Sequence, residues 1–467
     1  MKSNRRNFLK YSGMTGLGIA GASMMPSYAS FKEIVEEQNK PAHFNMSGFA
    51  APKLETVRIG FIGLGNRGPY AVERITHIEG TAVTALCDIR PEKVSAVVKA
   101  LDGSIHHPAT YSRGKEEWKK LCDRKDIDLV YIATPWALHT PIAVYAMKQG
   151  KHVCIEVPAA KTVEECWQLV ETSEQTRKHC MILENCCYDF FELLTLNLTR
   201  QGLMGEIVHA DGGYIHTLMD SNFSKDKYYD MWRLKENFRN GNLYPTHGLG
   251  PIAQTMNINR GDKMDYLVAV SGKDFQMSKM AKELASKDDY YKQFANKNYR
   301  GNMNTTTIKT AKGATIMLQH DVTSPNVYSR IFKVSGTKGS ALKYPIEGRI
   351  AFGHEEWQTN EEYKKLEEKY QPPIVKKVGE LAKQLGGHGG MDFLMDWRTI
   401  DCLRNGLPLD IDVYDAASWS AIAPLSEWSV ANRSNSIDIP DFTRGSWKTN
   451  QPIDISLEKG GTTKVLS

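Results

Sequence analysis

Between Val57 and Glu184 the chain alternates short continuous apolar runs with stretches whose apolar residues recur at helical spacing. The runs, near 57–62, 82–87, 128–133, 152–157 and 180–184, predict five strands, and helical patterns open near Gly68, Pro91, Arg113, Leu138 and Val163. Runs apolar on both faces and separated by helices suit a buried parallel sheet, so a doubly wound Rossmann domain is expected over 55–185. The pattern then changes. After a helix over 188–202, longer runs at 207–218, 265–271, 304–310, 315–321 and 328–336 predict strands, with Ala311-Lys312-Gly313 marking a hairpin. They imply an α+β substrate domain over 186–442, built on a large antiparallel sheet. Late helical patterns at 390–405 and 414–432 are expected to pack back against the domains, and the charged segment 274–299 reads as a solvated helical insertion. Residues 30–54 read as a linker or surface arm and 443–467 as a C-terminal tail.

At 467 residues, 41% hydrophobic and 24% charged, the chain is long enough for two or more cores. Its net charge of +5 misleads, because Lys2, Arg5, Arg6 and Lys10 cluster at the start without an acid. Beyond them 55 basic residues face 54 acidic ones, a balance that points to neither nucleic acid nor a charged membrane surface. The opening itself, Asn4-Arg5-Arg6-Asn7-Phe8-Leu9-Lys10, then an apolar Gly-rich stretch from Met14 to Met25 and the small-residue site Ser27-Tyr28-Ala29, resembles a twin-arginine signal peptide. It implies cleavage after Ala29, export of an already folded protein to the periplasm and no stable membrane anchor. The spacing of the eight cysteines suggests neither a disulfide framework nor a metal set, and the vicinal pair Cys186-Cys187 reads as packing.

The candidate chemistry starts at Gly63-x-Gly65-x-x-Gly68, directly after the first predicted strand. The first glycine permits the tight turn, the second lets backbone approach a pyrophosphate, and the third packs helix on strand. Asp88 ends the second strand twenty residues further on, where a carboxylate accepts the ribose hydroxyls and repels a 2′-phosphate. The cofactor expected is therefore NAD, with Arg90 close enough to weaken that preference. Two more strand ends face the same crevice: Trp136-Ala137-Leu138-His139, expected beside the nicotinamide, and Glu156-Val157-Pro158.

At these residues the chain resembles the glucose-fructose oxidoreductase / inositol dehydrogenase / rhizopine catabolism family, whose triplet after the fifth strand is Glu-Lys-Pro. Val157 replaces the lysine that in many of those dehydrogenases polarises or deprotonates the alcohol, so proton transfer must be arranged differently here. A second cluster is Tyr244-Pro245-Thr246-His247-Gly248, a loop opening a helix; where family dehydrogenases carry Asp-x-x-x-His, only the histidine survives. His247 is the best proton carrier in the chain. Tyr214, Arg233 and Tyr328 add the aromatic faces and fixed donors that suit a sugar.

The leader, Asn66-Arg67, Asp88, Trp136-x-x-His139, Glu156-Val157, Asn185 and Tyr-Pro-Thr-His247 together resemble glycoside hydrolase family 109, the NAD-dependent α-N-acetylgalactosaminidases. The resemblance implies that Asn66, Arg67, Asp88, Trp136, His139, Glu156, Val157 and Asn185 hold NAD, with Gly63, Gly65, Gly68, Ala137, Leu138 and Tyr244 beside them. It implies a terminal α-GalNAc substrate surrounded by Tyr214, Arg233, Tyr244, Pro245, Thr246, His247 and Tyr328. NAD beside a sugar then suggests oxidation at C3, removal of the C2 proton by His247 or Tyr328, elimination, addition of water and re-reduction. The alternative is a periplasmic NAD(P)-dependent sugar oxidoreductase, and a non-catalytic sugar-sensing protein is a third class. The sequence leaves monomer and homo-oligomer open.

Overall fold

The computed structural model describes residues 39–466, so the expected signal peptide over 1–29 lies outside them. Strands β1 (Val57–Ile62), β2 (Thr81–Cys87), β3 (Ala109–Tyr111), β4 (Leu129–Ile132), β5 (His152–Ile155) and β6 (Cys180–Ile182) pair in parallel in the order β3-β2-β1-β4-β5-β6. β4, β5 and β6 are buried at every position, which is why they read as unbroken apolar runs. β3 escaped the sequence reading because it is three residues long, none of them buried, at the sheet edge. Strand order reverses between β1 and β4, placing a ligand crevice at their C-terminal ends.

The second sheet holds β7 (Ile207–Ile215), β8 (Met264–Ser271), β9 (Asn304–Thr310), β10 (Thr315–Asp321), β11 (Phe332–Gly336), β12 (Gly339–Lys343), β13 (Arg349–Phe352) and β14 (Ile437–Asp438). Their order is β13-β12-β11-β7-β10-β9-β8-β14. All neighbours are antiparallel except β7 and β10, which run parallel from His209↔Thr315 to Ile215↔Asp321. A parallel pair needs a long crossover, and the chain between β7 and β10 supplies it with several helices and two strands. The expected hairpin is present: Gly313 turns with φ +101° between β9 and β10.

The segment 274–299 is not simply solvated. Its helix Met277–Lys287 and the turns after it bury Met277, Ala281, Tyr291, Phe294 and Tyr299 against Phe223, Met231 and Leu234, a separate small core. The charged residues that suggested exposure cover the outside of that cluster.

Two late helices join the halves. Met391–Asn405 packs against β1 and the helix Gly68–Thr76, while Val413–Ala431 packs against the helix Val163–Thr176, β6 and β8. The flanking segments are stapled on. Met46 donates its backbone N–H to Tyr414 Oη at 3.1 Å, and Leu54 donates to the Leu403 carbonyl at 3.1 Å. At the other end Val465 bridges Ile78, and the fully buried Trp397 donates through Nε1 to the Thr463 carbonyl at 3.2 Å. All eight cysteines are buried free thiols. Among the described residues no helix is long and apolar enough to cross a membrane.

Candidate active site

The glycine turn has the steric design its spacing predicts. A Cβ on Gly63, at φ +94°, would lie 2.5 Å from the Ala133 carbonyl oxygen, and one on Gly68 would lie 2.0 Å from the Gly63 oxygen. A Cβ on Gly65 would meet only the tip of Arg90, so this turn of backbone is open to a ligand. Asp88, almost buried, accepts from the Leu64 N–H at 2.7 Å and the Arg90 N–H at 2.9 Å, which aims it across the turn. Arg90 folds back onto it, with Nε 3.1 Å from Oδ1. A 2′-phosphate would have to break that pair, so Arg90 does not act as a phosphate receiver here. These features fit a dinucleotide.

Around the turn the other predicted cofactor residues form a network. Arg67 donates to Glu156 Oε1 at 2.9 Å, and its Nη1 lies 3.2 Å from Asp392 Oδ2, while Asn185 donates to Asp392 Oδ1. Asn66 donates to the Lys227 carbonyl at 2.8 Å. Trp136, Ala137 and Leu138 form one helical turn at the end of β4, with Trp136 buried and the next two exposed. His139 has both ring nitrogens against backbone carbonyls, Nδ1 at 2.7 Å from Pro158 and Nε2 at 2.8 Å from Thr134. It therefore braces the turn that carries Trp136 onto the loop after buried Val157, and offers the crevice position rather than a free nitrogen.

The helix Thr246–Thr255 brings the second cluster to the crevice because two glycines let it touch β7. A Cβ on Gly248 would lie 2.4 Å from the Gly213 nitrogen, and one on Gly212 would lie 2.6 Å from the Gly248 oxygen. This close approach sets His247, in the first helical turn, 5.4 Å from Tyr214 between ring centroids. Gly248→Ala is expected to force helix and strand apart, costing about 1–3 kcal/mol of stability by overpacking. Activity should fall by more than the thermal shift explains, measured as kcat beside a melting curve.

Tyr244 precedes the helix and stacks on Trp136, with centroids 5.7 Å apart and planes within 20°, so the cofactor and substrate groups meet there. Arg233 lies over the rings of Tyr244 (5.1 Å), Trp136 and Tyr228 (5.5 Å each). Among the described residues no carboxylate pairs with it. Pro245 stands at the N-cap position of the helix and Thr246, the next residue, is fully buried. Tyr328 is 38% exposed and closes the wall from the loop before β11, with its ring 5.1 Å from His216 and 6.4 Å from Tyr214.

Proton chemistry concentrates on one pair. His247 Nδ1 lies 2.6 Å from Glu184 Oε1, and Glu184 is completely buried at the end of the segment after β6. Burial pushes the Glu184 carboxyl upward, but the His247 ring beside it, together with hydrogen bonds from Thr246 and Cys186, leaves the acid below its usual range. The other histidines nearby are less suited to proton transfer. His216 is pushed down to about 4 by burial and by Arg233, and fully buried His320 is lowered by burial and Arg300. Burial pushes the Tyr328 phenol up, so it keeps its proton at neutral pH. Beneath the site Arg330 donates to Cys186 Sγ at 3.1 Å, Glu192 at 2.8 Å and Asp189 at 3.0 Å, fixing the floor. Glu184, Cys186 and His247 offer ligand atoms within 4.8 Å of one another, but the guanidinium on the thiol opposes a cation there.

The structure thus brings Trp136, Tyr214, Arg233, Tyr244, His247 and Tyr328 to one wall and the Gly63–Gly68 turn, Asp88, Arg67, Glu156 and Asn185 to the adjoining crevice. Sequence reasoning missed Glu184, His216, Tyr228 and Trp232. His216 follows Tyr214 by two residues, so strand alternation puts both on one face, and Trp232 adjoins Arg233 in sequence. Glu184 gave no local signal, since its partner lies 63 residues away.

Two family models divide the chain near the same point. Residues 57–184 match the oxidoreductase family NAD-binding Rossmann fold, and residues 188–449 match the C-terminal domain of glycosyl hydrolase 109. A glycosyl hydrolase family 109 protein of Bacteroides fragilis is 50% identical over 417 residues, covering 86% of this chain and 88% of its own. One from Bacteroides thetaiotaomicron is 47% identical over 461 residues, covering 94% and 97%. The chain belongs to glycosyl hydrolase family 109. It is an NAD-dependent glycosidase, built on an oxidoreductase fold. That fold is shared with levoglucosan dehydrogenase in complex with NADH, at TM-score 0.61 and 18% identity over 83% of this chain and 100% of that one. It is shared also with myo-inositol dehydrogenase from Lactobacillus casei, at TM-score 0.57 and 16% identity over 83% and 99%. Val157 is buried in the loop after β5, and His247 stands in the first turn of the helix Thr246–Thr255, paired with Glu184.

Proposed function

We propose that the protein removes terminal α-linked N-acetylgalactosamine, with His247 as the base at sugar C2 and NAD retained between turnovers. The observation that carries the reading is the buried Glu184–His247 pair, set in an aromatic wall that opens onto the cofactor crevice. When bound, NAD supplies a reversible hydride acceptor that converts a ring alcohol to a carbonyl and so acidifies the neighbouring C–H. Gly65, Arg67, Asp88, Glu156 and Asn185 are the residues placed to hold it.

Glu184 keeps the proton of His247 on Nδ1, leaving the Nε2 lone pair to take a proton from C2. Its negative charge then balances the imidazolium. Tyr328 stays protonated and has a hydrogen bond to give the departing glycosidic oxygen. Tyr214 and Tyr244 offer faces to the apolar side of the sugar ring, while Arg233, a cation without a carboxylate partner, suits the carbonyl oxygen of the N-acetyl group. The twin-arginine leader supports export in the folded, cofactor-loaded state, which makes retention of NAD necessary outside the cytoplasm.

The test is turnover of an aryl α-GalNAc substrate in deuterated water. The expected result is release of the phenol without net NADH and deuterium at C2 of the product. Accumulating NADH or an oxidised sugar would instead identify a sugar oxidoreductase, and turnover without deuterium at C2 would remove His247 from the role of carbon base.

A further inference from the structure

One imidazole of the aromatic wall has no task in the reading so far. His216 directly follows β7, and strand alternation puts it on the same face as Tyr214. Its ring stands between two tyrosines, 4.8 Å from Tyr214 with planes at 88° and 5.1 Å from Tyr328 with planes at 71°. The backbone around it is fixed. His216 donates its N–H to the Asp321 carbonyl at 3.0 Å, and Ile215 and Ser329 exchange two hydrogen bonds of 2.9 Å. That bridge ties the end of β7 to the loop carrying Tyr328, so the imidazole and both flanking rings share one frame.

The neighbouring histidines show what sets His216 apart. His247 has Glu184 at 2.6 Å, and His139 has two backbone carbonyls. His320, opposite Tyr214 on β10, accepts from the Leu243 N–H at 3.1 Å and lies 2.7 Å from Arg300. His216 Nε2 is buried and meets no hydrogen-bond partner among the described residues. A buried nitrogen without a partner is costly, and a binding site keeps one where the ligand supplies the bond. Burial and Arg233 push the ring down to about 4, so at neutral pH it is an uncharged imidazole with one N–H to give and one lone pair to fill. An anion would want the charged ring, whereas a hydroxyl, which both gives and accepts, matches the neutral one.

The order of rings along the wall selects the hydroxyl. Trp136, at the cofactor crevice, stacks on Tyr244, Tyr244 touches both His247 and Tyr214, and Tyr214 in turn touches His216. The Trp136 end therefore serves C3 and C2 of the sugar, and Tyr328 marks the glycosidic oxygen on C1. Beside Tyr328, two rings beyond Tyr244, a pyranose continues through its ring oxygen to C5 and the hydroxymethyl group. We propose that His216 binds the 6-hydroxyl of the terminal sugar and makes the enzyme selective against 6-deoxy sugars. This rests on the reading that His247 faces C2 and Tyr328 the glycosidic oxygen.

The test compares kcat/KM on an aryl α-GalNAc with that on its 6-deoxy and 4-deoxy analogues, for the unaltered protein, H216F and H216Q. The unaltered protein is expected to lose about 5- to 100-fold on the 6-deoxy substrate, the range for leaving a buried polar group unpaired. H216F keeps a ring between the tyrosines without a nitrogen, so its ratio should fall to near one. H216Q, whose amide can stand where Nε2 stands, should keep part of the preference, and the 4-deoxy ratio should be the same in all three. Equal rates on the parent and 6-deoxy substrates in the unaltered protein, a result that needs no variant to fold, would overturn the proposal. So would a 6-deoxy penalty that survives in folded H216F, or one relieved there at the 4-deoxy position instead. If no α-GalNAc glycoside is turned over, the functional reading fails, and the contact is decided by calorimetric affinity of the NAD-loaded protein for methyl α-galactoside against methyl 6-deoxy-α-galactoside. No preference between them, or no binding of either, overturns it.

Discussion

His247→Asn is expected to lower kcat on an aryl glycoside about a thousandfold, the range for loss of a positioned base, and to abolish deuterium incorporation at C2 equally. The asparagine is chosen for the geometry at Glu184. Its side-chain amide can place a donor where Nδ1 now stands, 2.6 Å from Oε1, so the buried carboxylate keeps a partner. Alanine would strand that charge, at a cost of about 3–5 kcal/mol, and confuse loss of chemistry with loss of fold. A folded, NAD-bound His247→Asn protein within about tenfold of normal kcat would fall short of what loss of a base costs and move the base to Tyr328. That would be surprising, because burial holds the phenol in its protonated form.

Glu184→Gln should cost a hundredfold or more in kcat, as neutralising the carboxylate behind a catalytic histidine does in the serine protease triad, roughly 10⁴. Deuterium incorporation at C2 separates this from a merely structural loss. The Glu184 carboxyl is held below its usual range, so it is charged at neutral pH and fixes the proton of His247 on Nδ1. Neutralising it should lower kcat and C2 deuterium incorporation together, with NAD affinity and melting temperature little changed. A fall in kcat that tracks a loss of NAD affinity or of thermal stability would leave Glu184 a packing residue. Because Glu184 is completely buried, with Gly250 packed so closely that a Cβ there would sit 2.7 Å from its Cγ, the glutamine fits without new space.

The cofactor half was legible because each part has a local cause. Strands buried on both faces read as apolar runs, the three glycines answer to contacts within a single turn, and Asp88 lies at a fixed distance from them. The second half was legible only strand by strand. That β7 and β10 run parallel depends on where a long crossover returns, which no local pattern records. Charge density hid the small core under 274–299, since its apolar members are spread among lysines and acids. In the site, aromatic residues and histidine advertise themselves by type, whereas Glu184 and Asp392 are ordinary acids until the fold puts His247 beside one and Arg67, Asn185 and His388 beside the other.

The pairing of Val465 with Ile78, and of Leu466 with the His77 carbonyl at 2.7 Å, bears on how the protein is made. The two contacts join the first helix–strand unit of the cofactor half to residues synthesised nearly four hundred positions later, so they form only once that later segment has been made. Closing so long a loop costs entropy and delays the final folding step. Trp397 waits for the same segment, because its indole N–H is satisfied by Thr463. A chain lacking residues 463–466 would therefore leave Ile78 and the Trp397 indole without these partners, at the end of the sheet away from the dinucleotide crevice.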